Sequence, residues 1–220
     1  MPRGVYYPLA LLVSACVWAV PTHVSAPVVP GNLGEISEDG TALLRLEEID
    51  LRLEARNQRG RGAAVLLGPL GYPLGVIPGS WIVRDRSSMP LSIYVDFDPR
   101  ESGFAFDPMA ISLTPKDGSA LRPEGYLGPG RAERARARSS FAFRCIEAGT
   151  GRELARSTES RTFPLEPGSG RRCFVLEFPP LSPDVAFSLA LDGLTREGKR
   201  VRRWPVHFNK RAAETGRLFP

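Results

Sequence analysis

The sequence predicts an all-β chain: an immunoglobulin-like antiparallel β-sandwich of seven or eight strands, preceded by an N-terminal signal segment and a tether. Three observations carry that expectation. Proline (21) and glycine (22) are abundant for 220 residues, which favours short strands and turns over long helices. Apolar and polar residues alternate over short stretches, the period of a strand with one buried face. Clusters of turn-forming residues separate these stretches at regular intervals, the tempo of a sandwich. Hydrophobic residues make up 42% of the chain, enough for a core, and the length fits one domain with flanking segments.

Residues 1–15 have the order of parts found in an export signal. Arg3 is followed by an apolar run over residues 5–13, interrupted by Pro8, and then by the small residues Ser14 and Ala15. The motif Val13-Ser14-Ala15-Cys16 resembles the lipobox of bacterial lipoprotein precursors. The resemblance implies that Cys16 receives a thioether-linked diacylglycerol, becomes the new N-terminus and is acylated there. One acyl chain holds a protein to a bilayer only marginally, whereas several on one residue anchor it stably. Two other readings stay open. Val24-Ser25-Ala26 offers an ordinary cleavage site, although Pro27 follows it directly. An uncleaved anchor is the other, although the strongly apolar stretch stops at Val20-Pro21, short of the roughly 20 residues a span needs.

Residues 16–40, with Pro21, Pro27 and Pro30, read as an extended tether, and residues 41–209 as the sandwich. Ala42, Leu46, Ile49 and Leu53 have helical spacing, but the alternation of Ile49, Leu51, Leu53 and Ala55 with Asp50, Arg52, Glu54 and Arg56 favours a strand over 48–56. A turn over 57–62 leads into the uncharged stretch 63–79. Its Gly68, Pro69, Gly71, Pro73, Gly75 and Pro78 argue against a long helix or strand. An ordered loop closing one end of the sandwich is expected there, with a contact surface for a membrane or partner as the alternative.

Strand signals then recur. Trp81 and Val83 share one face. Leu91, Ile93, Val95 and Phe97 alternate with Ser92, Tyr94, Asp96 and Asp98. Phe104 with Phe106, and Met109 with Ile111 and Leu113, come next, closed by a turn over 115–119. Residues 124–130 read as a Gly/Pro loop, and 131–138, with four Arg and one Glu, as a solvated helical turn or loop. Phe141, Phe143 and Cys145 share a strand face expected to point inward. Residues 149–170 are polar, with an exposed loop over 153–161. Phe174, Leu176 and Phe178 mark another strand, as do Val185, Phe187, Leu189 and Leu191. A hairpin loop over 192–199 precedes a last strand carrying Trp204, Val206 and Phe208, which Pro205 assigns to a sheet edge or a bulge. Residues 210–220 read as a tail.

Once Cys16 is acylated, Cys145 and Cys173 remain, and outside the cytoplasm an even pair predicts a disulfide. The alternation sets them on opposite sides, Cys145 with Phe143 and Cys173 against Phe174, so a bond across the core requires either a bulge near Cys173, as at Arg171-Arg172, or Cys173 lying just before its strand settles into the alternation. Charge is lopsided. Residues 17–130 hold 10 basic and 14 acidic groups, residues 131–220 hold 18 and 10, an asymmetry suited to an anionic partner.

Chemistry is sparse. The histidines are His23, in the signal or tether, and His207, expected on an exposed face. Asp96, Asp98, Glu101 and Asp107 form the densest carboxylate group. Asp96 and Asp98 share a strand face without the spacing of a calcium loop, and so read first as a solvated strand end. Zinc and copper lack ligands, and no glycine-rich phosphate loop occurs. No catalytic, metal or cofactor residue is therefore assigned, and nucleic acid is not an expected partner. The expected protein is a non-catalytic, lipid-anchored component of the bacterial cell envelope that binds a partner protein or anionic polymer, or is structural. The alternative is an exported, carboxylate-dependent hydrolase acting on an envelope polymer. Secretion, or release into a periplasm, is the alternative address.

Overall fold

A computed structural model describes residues 14–18, 22–29, 34–36, 41–46, 48–57, 62–67, 73–79, 90–134, 143–201 and 205–213. The first strands are β1 (Ser14–Trp18), β2 (Thr22–Val28), β3 (Gly34–Ile36), β4 (Ala42–Arg45) and β5 (Ile49–Arg56). A hairpin of β6 (Gly62–Leu67) and β7 (Pro73–Gly79) follows. Next come β8 (Leu91–Pro99), β9 (Phe104–Phe106), one 3-10 turn at Pro108–Ala110, and β10 (Ser112–Pro115). Then come β11 (Gly125–Arg134), β12 (Phe143–Ile146), β13 (Arg156–Ser157), β14 (Phe163–Leu165) and β15 (Arg172–Phe178). The chain closes with β16 (Phe187–Ala190), β17 (Leu194–Arg196), β18 (Lys199–Arg200) and β19 (Val206–Ala213).

These strands form an all-β sandwich. One layer is an eight-stranded sheet in the order β12-β11-β15-β8-β5-β4-β3, with β13 also paired to β11. The facing layer is split into two four-stranded sheets, β10-β16-β19-β2 and β14-β9-β17-β18. The alternation of β8 puts Leu91, Ile93, Val95 and Phe97 on one face, and β5 and β15 add Leu51, Leu53, Phe174 and Leu176 beside them. Phe106, Leu113, Leu165, Leu189 and Phe208 from the smaller sheets close the same core. Aromatic rings knit it, with Phe97 and Phe106 centroids 4.5 Å apart and Phe106 and Phe174 5.0 Å apart. Among the described residues no helix is long and apolar enough to cross a membrane.

Several expectations need correction. The strand count exceeds eight because stretches read as loops pair as strands. Residues 63–79 do not form a loop: β6 and β7 pair antiparallel, and β1 adds to β6. β7 tolerates Pro73 and Pro78 because it lies at a sheet edge, where a missing N–H donor breaks no interior ladder. The burial of Leu66, Leu67 and Leu70 lies outside the described residues, as do Trp81, Val83, Phe141 and Trp204.

The tether is corrected too. β2 pairs along β19, and β3 along β4. Ser25, which is buried, donates its amide to Asn57 Oδ1 at 3.1 Å, while Asn57 Nδ2 donates to Ser25 Oγ at 2.8 Å and to the Leu181 carbonyl at 3.2 Å. β19 is accordingly an interior strand, with Pro205 just before its first residue, and Lys210 to Ala213 belong to it rather than to a tail. The 192–199 loop contains β17, which pairs with β9 and with β18. Residues 125–134, read as loop and helical turn, are the continuous strand β11.

Candidate functional site

The other face of the large sheet is also covered, and its cover is the most unusual feature of the molecule. β12 stands two places from β15 in the strand order, which in a flat sheet means about 10 Å. Yet the Cα atoms of Cys145 and Cys173 are 5.7 Å apart and their sulfurs are bonded. The β11–β12 hairpin therefore curls over the outer face of β15 and β8. The register of β11 on β15 slips between Leu127 and Gly130, and a bulge of this kind bends its strand. Gly130 sits at the bend, where a Cβ would lie 2.7 Å from Cys145 Sγ and from the Ile146 carbonyl oxygen.

This curl removes the geometric objection to the disulfide. Cys173 does point away from Phe174, but Phe143 and Cys145 do not point into the main core. They join Tyr94, Cys173, Val175, Leu127 and Ala132 in a second cluster on the opposite side of the sheet. Neither a bulge near Arg171-Arg172 nor an irregular start at Cys173 is found, since β15 runs in unbroken register with β8 from Arg172 onward; the irregularity sits in β11 instead.

Beneath the hairpin lies a polar network. Arg52 is directly opposite Asp96, and Glu54 opposite Tyr94, across β5 and β8. Asp96 is 0% exposed, so the solvated strand end expected there is corrected. Its Oδ2 accepts the Tyr94 hydroxyl at 3.0 Å and its Oδ1 accepts Arg171 Nη1 at 2.9 Å. Arg171 Nη2 reaches Asp98 at 3.1 Å, so one guanidinium bridges both carboxylates. Arg56 pairs with Glu54 at 3.1 Å and donates to the Phe143 carbonyl. The Arg56 and Arg52 guanidiniums lie 5.0 Å and 4.7 Å from the centroids of the Tyr94 and Phe143 rings. Burial pushes the Asp96 carboxyl above its ordinary range, with Arg171 opposing the shift. Burial, together with Asp96, pushes the Tyr94 hydroxyl well above its own range, so it remains a donor.

The remaining residues singled out in the sequence do not converge on this face. Glu101 is paired with Arg196 at 2.6 Å. Asp107 caps the 3-10 turn through the Met109 amide, 2.9 Å, and takes the Ser160 hydroxyl at 2.6 Å. Among the described residues no group of three or more Asp, Glu, His or Cys is placed to hold a metal ion. His207 is exposed, and its Nδ1 lies 2.8 Å from Ser188 Oγ, a contact the sequence did not single out. Among the described residues no carboxylate bonds to that imidazole, so the pair lacks the third group that orients a general base. Cys16 lies within β1, opposite Val65, and its side chain is outside the described residues.

On the outer face of the curled hairpin Arg131 and Glu133 alternate with the inward Ala132, Glu133 stands directly opposite Arg144, and Arg134 stands opposite Phe143. Arg131, Arg134 and Arg144 are exposed and make no side-chain hydrogen bond or ion pair among the described residues. Arg172, directly across from Arg131, is also without such a partner among them. Arg136 and Arg138, in the connection between β11 and β12, lie outside the described residues. Sequence reasoning found the arginines but not the strand that carries them, nor the role of Tyr94 and Arg171. No family model matches the chain, and neither the curated proteins nor the solved structures hold a match to it.

Proposed function

We propose that this chain is an exported, lipid-anchored module of the bacterial cell envelope that binds an anionic polymer rather than catalysing a reaction. The observation that supports the binding half is the β11–β12 hairpin: Arg131, Arg134 and Arg144 are exposed and make no ion pair among the described residues, against the single acidic Glu133 opposite Arg144, on a strand pair pinned by a disulfide. Clustered, solvated cations attract polyanions through a field that salt screens. The disulfide suits an oxidising compartment. Cleavage at Cys16 is favoured over cleavage after Ala26 because the latter would delete most of β2, including Ser25, and leave buried Asn57 without two of its bonds. A hydrolase is disfavoured because Asp96, Asp98 and Glu101 are committed to arginines.

The test uses the full chain in neutral detergent micelles, with polyglutamate and polyphosphate as probes. Binding at low ionic strength should fall steeply with salt, and Arg131→Gln/Arg134→Gln/Arg144→Gln should weaken it about tenfold or more. Absent binding at low salt, or an unaffected triple variant, refutes the polymer reading. Preferential binding to phosphatidylglycerol vesicles would redirect the hairpin to the bilayer. For the anchor, an alkyne fatty acid should label the wild type in cells and not Cys16→Ser; equal labelling refutes it.

A further inference from the structure

The β6–β7 hairpin follows a different sequence rule from the strands of the sandwich. β8 alternates Leu91, Ile93, Val95 and Phe97 with Ser92, Tyr94, Asp96 and Asp98, whereas β6 and β7 do not alternate. Successive residues of a strand belong to opposite faces. In β6 both sets are apolar, Ala63, Val65 and Leu67 in one, Ala64 and Leu66 in the other. The register repeats this on β7: Val76 and Pro78 stand opposite Val65 and Ala63, Ile77 and Gly75 opposite Ala64 and Leu66. No charged residue occurs over residues 62–83. A sheet apolar on both faces needs an apolar cover on each. With β1 these strands form a sheet of their own, hydrogen-bonded among the described residues to none of the three sheets of the sandwich, so the sandwich can cover one face at most. The register of β1 points to the other cover. Cys16 stands opposite Val65, Val17 opposite Ala64 and Trp18 opposite Ala63. The residue that resembles a lipid attachment site thus belongs to the same sheet as the apolar hairpin. In the sequence, Arg59 and Arg61 precede the uncharged stretch and Arg84 and Arg86 follow it, with Asp85 between the latter two. Cations flanking an apolar segment match anionic headgroups. Those arginines and the connection over 68–72 lie outside the described residues.

We propose that the β1-β6-β7 sheet seats the protein on a phospholipid leaflet, one of its faces lying in the headgroup–acyl boundary beside the chains carried by Cys16. This rests on the lipid anchor proposed above and is independent of the basic β11–β12 hairpin. Backbone chemistry limits the depth. β1 and β7 are sheet edges, and unpaired N–H and C=O groups are not tolerated facing hydrocarbon. Pro73 and Pro78 remove two N–H groups from β7, and a shallow seat of about 5–10 Å leaves the remaining edge groups to water and headgroups. A second copy of the chain would also cover an apolar face, but it gives no reason for the lipid-bearing residue to stand in that sheet.

The test is photo-crosslinking in bacterial cells expressing the full chain, with p-benzoylphenylalanine replacing Val76 or Ile77, neighbours on opposite faces of β7, and Thr114, exposed on β10, as the control. An intact Cys145–Cys173 bond checks that each variant folds. Mass spectrometry should find phospholipid adducts at Val76 or Ile77 and none at Thr114. No adduct at either β7 position, adducts there only to this chain, to a second copy or to another protein, or an equal phospholipid yield at Thr114, overturns the proposal. An alkyne fatty acid supplied in parallel separates it from the anchor. Phospholipid adducts at β7 without fatty acid on Cys16 support the seat and refute the anchor; labelled Cys16 with protein adducts alone at β7 refutes the seat and leaves the anchor.

Discussion

The two faces of the sheet formed by β5, β8 and β15 are almost equally dry and chemically opposite. Leu53, Val95, Phe97 and Phe174 on one side, and Tyr94, Asp96 and Cys173 on the other, are all 0% exposed. The first face is hydrocarbon packed on hydrocarbon, where each large side chain contributes roughly 1.5–3 kcal/mol by leaving water. The second holds charges whose desolvation consumes much of what their pairing returns, and it stays covered because a disulfide, the Arg52–Phe143 contact and the Arg56 bond to the Phe143 carbonyl hold a curled hairpin in place. Burial alone therefore does not tell what a face contributes. The apolar face supplies stability, while the polar face fixes where the basic hairpin points.

That contrast is open to attack in order of size. Phe97→Ala, in the aromatic knot of the main core, should cost about 3–5 kcal/mol by chemical denaturation; a loss below about 1 kcal/mol would mean that the inner face is loosely packed. Replacing both Cys145 and Cys173 by Ala should cost about 3.6 kcal/mol from chain entropy, given a sequence separation of 28. It should also speed amide exchange in β12 far more than in β5. Equal acceleration of both would show that the hairpin and core are one cooperative unit. Tyr94→Phe removes only the hydroxyl donated to Asp96, and should cost about 1.5–3 kcal/mol, the range for a bond to a charged group. A neutral result would place water, not Tyr94, against that carboxylate.

The smallest effect is a slope with pH. Burial raises Asp96 above its ordinary value of 3.8, so the folded chain keeps this proton to higher pH than the unfolded chain does. The contribution of Asp96 to stability is then greatest below the ordinary value and is lost as pH rises through the native one. Asp96→Asn should flatten that segment of the stability curve relative to wild type. A variant whose curve runs parallel to wild type across the acid range would contradict it.

Much of the inner face was legible in the sequence, because β8 alternates strictly and period alone assigns Leu91, Ile93, Val95 and Phe97 to one side. The pairing of Cys145 with Cys173 was legible from compartment and count. The outer face was not. Alternation says which way Tyr94 and Asp96 point, but only the curl of β11–β12, produced by a bulge between Leu127 and Gly130, covers them. β2 and β7 were missed for a related reason: proline and glycine disfavour interior strands, whereas the sheet edges where these two lie tolerate them.

The central claim, that β12 is bolted across the outer face of β15, is tested most directly by peptide mapping of the denatured, unreduced protein after alkylation. The structure predicts one linked pair of peptides, carrying Cys145 and Cys173, with neither residue alkylated until a reductant is added. Recovery of both cysteines as alkylated, unlinked peptides without reductant would contradict it.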